Sequence, residues 1–172
     1  ELVHKTGQNG VALQCDISIV DKISDLFNKA KNIFGCLDVL VNNVGVVRRT
    51  PFIDIEIDQL QFILATNFMA PFLLTKYFCR SLIKDSEPGC VINISSLSAS
   101  SAISRLADYQ SSKAALSMFT KSAAFEMAKY NIRVNTISPG LTCTLGNKDH
   151  WEKNPSIWKE RTLHIPLSRA GQ

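Results

Sequence analysis

The chain has 172 residues, of which 45% are apolar, 20% charged and 8% aromatic, and this composition is typical of a folded globular protein rather than a disordered one. Its net charge of +4 includes no run of five basic residues, which favours a solvated surface over a nucleic-acid site. No apolar run reaches the roughly 18 residues of a membrane span, and the length favours one domain.

The five cysteines are odd in number and widely spaced, and no two of them form a C-x-x-C pair. This spacing argues against a disulfide framework and against a zinc site. We therefore expect no metal, cysteines that are mostly small core residues, and a reducing, cytoplasmic location.

Short apolar segments alternate with longer amphipathic ones along the chain. This order is typical of parallel strands joined by helices, in a sheet that is covered on both faces. In chain order we predict a strand at 11–15, a helix at 19–34 capped by Ser18, a strand at 37–41, a helix at 57–84 eased at Pro71, a strand at 90–95, a helix at 108–129 and a strand at 132–138.

Polar or glycine-containing breaks follow each predicted strand. They are Asp16, residues 42–45, residues 95–96 and residues 138–140. Because ligands of parallel α/β sheets bind beyond the carboxyl ends of the strands, we expect a binding cleft along this edge.

Tyr109 and Lys113 are four residues apart and therefore share one face of the predicted helix. A lysine ammonium lowers the pKa of a nearby phenol, but one cation alone falls short of bringing a pKa of about 10 to neutrality. By itself this pair is also common by chance on helix surfaces.

Ser96 could bind a substrate oxygen or make a local turn. Asn67 is an unfavourable residue inside a helix, where it either faces water or serves a specific purpose, such as holding an ordered water.

Taken together and in this order, these residues resemble the classical short-chain dehydrogenase/reductase family, over about 11–172. The resemblance implies a Rossmann-like, doubly wound α/β fold with three αβα layers, and an NAD(P)-dependent enzyme that interconverts an alcohol and a carbonyl by hydride transfer. The matching positions are Asp16, Asn42-Asn43-Val44-Gly45, Asn67, Asn93-Ile94-Ser95-Ser96, Tyr109-x-x-x-Lys113, Pro139-Gly140 and Thr144.

The resemblance implies a catalytic set of four residues. Tyr109 would be the general acid and base, and Ser96 would orient and polarise the substrate oxygen. Lys113 would bind the nicotinamide ribose and lower the pKa of Tyr109, and Asn67 would hold a water molecule of a proton relay.

The same resemblance implies a site for NAD or NADP. Asp16 and Ile17 would lie near the adenine, and Val44 replaces the usual alanine of its motif. The other expected residues are Asn42, which would tie the strands, Asn43 and Gly45 at the adenosine ribose, and Pro139, Gly140 and Thr144 at the nicotinamide.

The glycine-rich turn that binds the cofactor pyrophosphate in this family has no counterpart here. By the resemblance, two strands are absent on the N-terminal side and the last strand on the C-terminal side. We therefore expect 1–172 to be a single but incomplete NAD(P)-binding domain that folds poorly or binds cofactor weakly alone. The choice between NAD and NADP depends on a residue after one of the absent strands.

Two other functions compete with this one. The chain could be a truncated or non-catalytic relative that acts as an interaction subunit through its long helices. A serine hydrolase is excluded because no G-x-S-x-G motif surrounds Ser96.

The expected partners are a small alcohol or carbonyl substrate and, by the resemblance, a second copy of the chain. A homodimer or homotetramer would form through helices 57–84 and 108–129, and neither a nucleic acid nor a membrane is expected as a partner. The substrate identity stays open. A substrate lid would cover 141–166, in which Trp151 and Trp158 could line a pocket or simply pack.

Overall fold

The computed structural model describes residues 9–144, 147 and 152–171. Three parallel strands form a sheet in the order β1 (Val39–Asn42), β2 (Gly89–Ile94) and β3 (Ile132–Ile137). Asn42 pairs with Asn93 in register, and Asn93 pairs with Thr136. The helices are α1 (Ile23–Phe34), α2 (Ile57–Leu64), α3 (Ala70–Asp85), α4 (Ala107–Met127) and α5 (Pro155–Leu163). Trp151 lies outside the described residues.

The expected alternation of strands and helices is confirmed from residue 19 onward, but the strand expected at 11–15 is wrong. This segment pairs with no described strand, and its peptide groups therefore join no ladder. Ser18 does not cap the first helix either. Its N–H and hydroxyl both donate to Asp16 Oδ1, at 3.0 and 2.7 Å, and the helix begins with a 3₁₀ turn at Val20–Lys22.

The core lies between the sheet and helices α1, α3 and α4. Phe27, Phe78 and Leu82 pack there against Val91 and Val134. The second apolar row of the strands points the other way and is exposed, by 59% at Val39, 53% at Val41 and 50% at Ile137. The described helices that build this core therefore cover one sheet face, whereas the sequence predicts cover on both.

The long helix is continuous from Ile57 to Asp85, but it contains a π-helical turn at Ala65–Met69. There the Ala70 N–H donates to the Ala65 carbonyl, five residues back. The irregularity thus lies just before Pro71, which has no N–H to donate to the Asn67 carbonyl.

By length and composition alone, this helix could also cross a membrane, contrary to the expectation that no segment could. Its Phe78 and Leu82 side chains are nearly fully buried in the core. A core helix of a globular fold passes the same test, and the finding is weak evidence for a membrane span.

All five cysteines are free thiols, as the spacing predicts. The expectation that most of them are core residues is wrong, because Cys79 alone is buried among the five and Cys36 is exposed. Burial raises the pKa of the Cys79 thiol to about 11.

Candidate active site

A cavity of about 300 Å³ lies at the carboxyl edge of the sheet. Residues that follow each of the three strands contribute to it, together with the first two turns of α4. Of the residues predicted from the sequence, its lining contains Asn43, Gly45, Ser96, Tyr109, Lys113, Pro139, Gly140 and Thr144.

Lys113 is the buried cation of this cavity, with 4% of its surface exposed. Its Nζ donates a hydrogen bond of 2.7 Å to the Ile94 carbonyl at the end of β2. Burial lowers the pKa of Lys113 to about 8. A Cβ on Gly45 would stand 3.1 Å from this Nζ, so a residue without a side chain is what lets the ammonium approach the loop after β1.

Tyr109 is the third residue of α4 and half-buried. Its hydroxyl makes no hydrogen bond to another residue in the described part of the chain and is therefore open to a ligand. Ser96 begins a short 3₁₀ turn, where its Oγ accepts the Ser98 N–H at 3.1 Å. Because Ser96 Oγ is the acceptor in this hydrogen bond, its hydroxyl proton remains available for donation to a ligand.

Asn67 lies in the π turn and is fully buried. Its Oδ1 accepts the Val46 N–H at 2.8 Å, and its Nδ2 donates to the Val46 carbonyl at 2.9 Å and to Ser112 Oγ at 3.0 Å. The Ser112 hydroxyl in turn donates to the Tyr109 carbonyl at 2.7 Å. The Asn67 side chain therefore joins the loop after β1 to the first turn of α4.

Asn42 lies outside this cavity, in a buried network of amide and hydroxyl groups. Its Nδ2 donates to Asn93 Oδ1 at 2.7 Å and to Thr75 Oγ1 at 3.2 Å. Asn93 Nδ2 donates to Thr120 Oγ1 at 2.9 Å. These bonds connect β1 and β2 to α3 and α4, and they hold the strand ends that carry the cavity.

Asp16 and Ile17 do not line the cavity of Tyr109. Asp16 lies in a separate cleft of about 660 Å³, between residues 12–16 and the side chains of Lys22 and Lys29. Hydrogen bonds from Ser18 lower the pKa of the Asp16 carboxyl.

The sequence predictions placed Ser95 at the cleft without giving it a role, and they missed Asp108 and Ser112. Ser95 Oγ contacts the Lys113 carbonyl at 3.0 Å, and buried Asp108 accepts the Tyr109 N–H at 2.8 Å and Gln59 Nε2 at 2.7 Å. An acidic residue in the first turn of a helix is a recognisable capping signal, and it could have identified Asp108. Ser112 stands between Tyr109 and Lys113 in the chain, and nothing local indicates its contact with Asn67.

No group of three His, Cys, Asp or Glu side chains within residues 9–144, 147 and 152–171 could hold a metal ion. The polar side chains that line the cavity include the Tyr109 phenol, the Lys113 ammonium and the Ser96 hydroxyl.

Known proteins resemble this chain over nearly its whole length. A family model described as enoyl-(acyl carrier protein) reductase matches residues 1–172. A 2-dehydro-3-deoxy-D-gluconate 5-dehydrogenase of Dickeya dadantii is 32% identical over 99% of the chain, which spans 67% of that protein.

Two solved structures have the same fold. A structure described as a putative short-chain alcohol dehydrogenase of Sinorhizobium meliloti has a TM-score of 0.90 at 33% identity, and 99% of this chain matches 67% of that one. A 4-hydroxyisoleucine dehydrogenase complexed with NADH has a TM-score of 0.87 at 31% identity, and 92% of this chain matches 65% of that one. The chain thus spans about two thirds of the length of these relatives, and the Rossmann-like α/β fold is confirmed. The chain belongs to the short-chain dehydrogenase/reductase family.

Proposed function

We propose that the complete protein is an NAD(P)-dependent oxidoreductase that interconverts an alcohol and a carbonyl, with Tyr109 as its general acid and base. The observation that carries this proposal is the convergence of Ser96, Tyr109 and the buried Lys113 on one cavity. The named relatives are dehydrogenases, which supports oxidoreduction as the class of reaction.

The polar groups of the cavity have complementary tasks in this reaction. In carbonyl reduction Tyr109 donates its hydroxyl proton to the substrate oxygen, and in alcohol oxidation it accepts the proton. The free hydroxyl proton of Ser96 donates to the same oxygen and polarises the carbonyl. The Lys113 ammonium, one helical turn from Tyr109, stabilises the phenolate that proton donation leaves.

The residues present fit a nicotinamide cofactor. Gly45 leaves the space of a Cβ beside Lys113, and the ammonium can donate to ribose hydroxyls there. Asn43, Pro139, Gly140 and Thr144 would complete this end of the site, with Asp16 and Ile17 near the adenine. A bound nicotinamide supplies or accepts the hydride.

Asn67 acts as a positioning residue in this proposal. Its side-chain amide already bonds to Val46 and Ser112. A relay water would therefore bind the backbone carbonyl oxygen of Asn67, because Pro71 has no N–H to donate to it.

We further propose that 1–172 belong to one NAD(P)-binding domain of a cytoplasmic homodimer or homotetramer. A cavity of about 560 Å³ lies between α3 and α4, and its lining includes Phe72, Ile83, Phe119 and Met127. Phe125 and Met118 on α4 are 88% and 62% exposed. A second copy packed on these helices would bury this apolar surface.

The test is a fluorescence titration of the complete protein with NADH and NADPH, followed by turnover assays on a panel of ketones and alcohols. We expect saturable binding of one cofactor and its consumption with at least one compound. A protein that binds neither cofactor would contradict the proposal and favour the non-catalytic interaction subunit.

A further inference from the structure

Gln110 follows Tyr109 in the first turn of α4, and its side-chain amide binds the loop that connects β2 to this helix. Its Nε2 donates to the Ser98 carbonyl at 3.2 Å and also to the Ser101 carbonyl. Its Oε1 accepts the Ile103 N–H at 3.3 Å. These partners fix the orientation of the amide, because the reversed amide would place its oxygen against two carbonyl oxygens.

The three backbone groups that Gln110 binds have no other partner in the described part of the chain. The loop at 97–106 contains only a short 3₁₀ turn, Leu97–Ala99, and joins no strand ladder. Without the amide of Gln110, these carbonyls and this N–H would turn to water, and the loop would lose its side-chain bonds to α4.

Ser98 connects Gln110 to the Ser96 hydroxyl. Its N–H donates to Ser96 Oγ at 3.1 Å, while its carbonyl accepts the bond from Gln110 Nε2. Two hydrogen bonds therefore lead from the residue beside Tyr109 to the oxygen of Ser96. Both Ser96 and Tyr109 line the candidate active-site cavity, whereas Gln110 is not among its described lining residues.

We propose that Gln110 is a positioning residue, which holds the Ser96 hydroxyl where it shares one substrate oxygen with Tyr109. This inference rests on the oxidoreductase function proposed above, in which both hydroxyls donate to that oxygen. Gln110 acts through Ser98 and Ser96 rather than on the substrate. Such a residue affects the rate, because a displacement of about 1 Å in a catalytic group can cost about 100-fold.

The first test measures kcat and KM of Gln110→Ala in the complete protein. The substitution removes no group that lines the cavity, and we expect kcat to fall about tenfold while KM and the Kd for reduced cofactor stay within about twofold. Gln61→Ala truncates an exposed amide on α2 and should retain the wild-type kcat. An unchanged kcat in Gln110→Ala, or an equal fall in Gln61→Ala, would overturn the proposal.

A second variant, Gln110→Glu, preserves the length of the side chain in case the alanine variant does not fold. It keeps an acceptor for the Ile103 N–H, but it sets an oxygen against the carbonyls of Ser98 and Ser101. We therefore expect a similar fall in kcat. Wild-type kcat in Gln110→Glu would overturn the role of the two Nε2 bonds.

A double-mutant cycle with Ser96→Ala distinguishes positioning from a purely structural role. Ser96→Ala removes a donor to the substrate oxygen and should lower kcat by about 10²–10³-fold. Gln110→Ala should then lower kcat by less than about twofold further, because the hydroxyl that Gln110 positions is already absent. A further tenfold loss in the double variant would show that Gln110 acts independently of Ser96, and it would overturn the proposal.

Hydrogen exchange tests the contacts of Gln110 separately from the oxidoreductase function. Amides of 97–106, followed by mass spectrometry of the complete protein, should exchange about tenfold faster in Gln110→Ala, with no change in β2. Unchanged exchange would overturn the positioning role even in an active enzyme. Failure to turn over any compound would contradict the oxidoreductase function, while the exchange rates would still decide whether Gln110 holds this loop.

Discussion

Gly45 and Lys113 lie against each other in the candidate active-site cavity, where a Cβ on Gly45 would stand 3.1 Å from the Lys113 Nζ. The Nζ also donates a hydrogen bond of 2.7 Å to the Ile94 carbonyl. A side chain at position 45 would therefore push the ammonium aside by a few tenths of an ångström.

The substitution Gly45→Ala should displace this ammonium and lower kcat/KM about tenfold, which corresponds to roughly 1.4 kcal/mol. Steady-state kinetics of the complete protein measure the effect. The control is Ile33→Ala on α1, which shortens a side chain that is 47% exposed and does not line this cavity, and it should leave the rate unchanged. Equal rates for Gly45→Ala and the wild type would contradict the close contact.

Burial of Lys113 predicts a particular dependence of stability on pH. Its pKa is about 8 in the folded protein against 10.5 in the unfolded chain, so between these values the unfolded chain binds more protons. The contribution of Lys113 to the free energy of unfolding should therefore rise with pH across this window, by up to about 3 kcal/mol. Below pH 8 both states are charged and the cost of burying the charge is constant.

Urea unfolding of the wild type and of Lys113→Met from pH 7 to 10.5 isolates this contribution, because other groups titrate in both proteins. The stability of the wild type relative to the variant should increase between pH 8 and 10.5. A difference that stays flat or decreases would show that the ammonium is not desolvated.

Asn67 should contribute to stability as well as to activity. Asn67→Ala leaves the N–H and carbonyl of Val46 without their buried partner, and we expect a loss of about 2–4 kcal/mol in the free energy of unfolding. Asn28→Ala, on the exposed side of α1, is the control and should change stability by less than about 0.5 kcal/mol. Similar effects of the two substitutions would remove the anchoring role assigned to Asn67.

The proposed assembly can be tested at Phe125. Phe125→Asp places a charge on the outer face of α4 and should shift the protein toward the monomer in light scattering. Ile53→Asp, at a side chain that is also 88% exposed but lies beside Ala107 and Ser111, at the opposite end of α4 from Phe125, should leave the mass unchanged. An unchanged mass for Phe125→Asp would place any interface elsewhere.

Local patterns were sufficient to predict the paired strands and the helix of Tyr109. The strand segments are short apolar runs bounded by polar residues. Tyr109 and Lys113 both lie in α4, and their four-residue spacing places them on one face of it. Segment 11–15 carries the same apolar pattern, yet it forms no ladder, since a strand also requires a neighbour that its own sequence does not specify.

Long-range contacts are what the sequence could not indicate. The two bonds of Asn67 to Val46 bridge 21 residues, and those between Arg49, Thr50 and Arg105 bridge more than 50. Such contacts depend on how the segments cross the sheet edge. The π turn at Ala65–Met69 likewise depends on how the helix packs and on the missing N–H of Pro71.

The central claim is that Tyr109 transfers the proton, and Tyr109→Phe in the complete protein tests it most directly, because the substitution removes only the hydroxyl. Turnover of the best carbonyl substrate should fall by about 10²–10⁴-fold, while the Kd for the reduced cofactor stays within about twofold. Tyr130→Phe, which removes a hydroxyl beyond the end of α4, should retain the wild-type rate. Wild-type turnover by Tyr109→Phe would contradict the account.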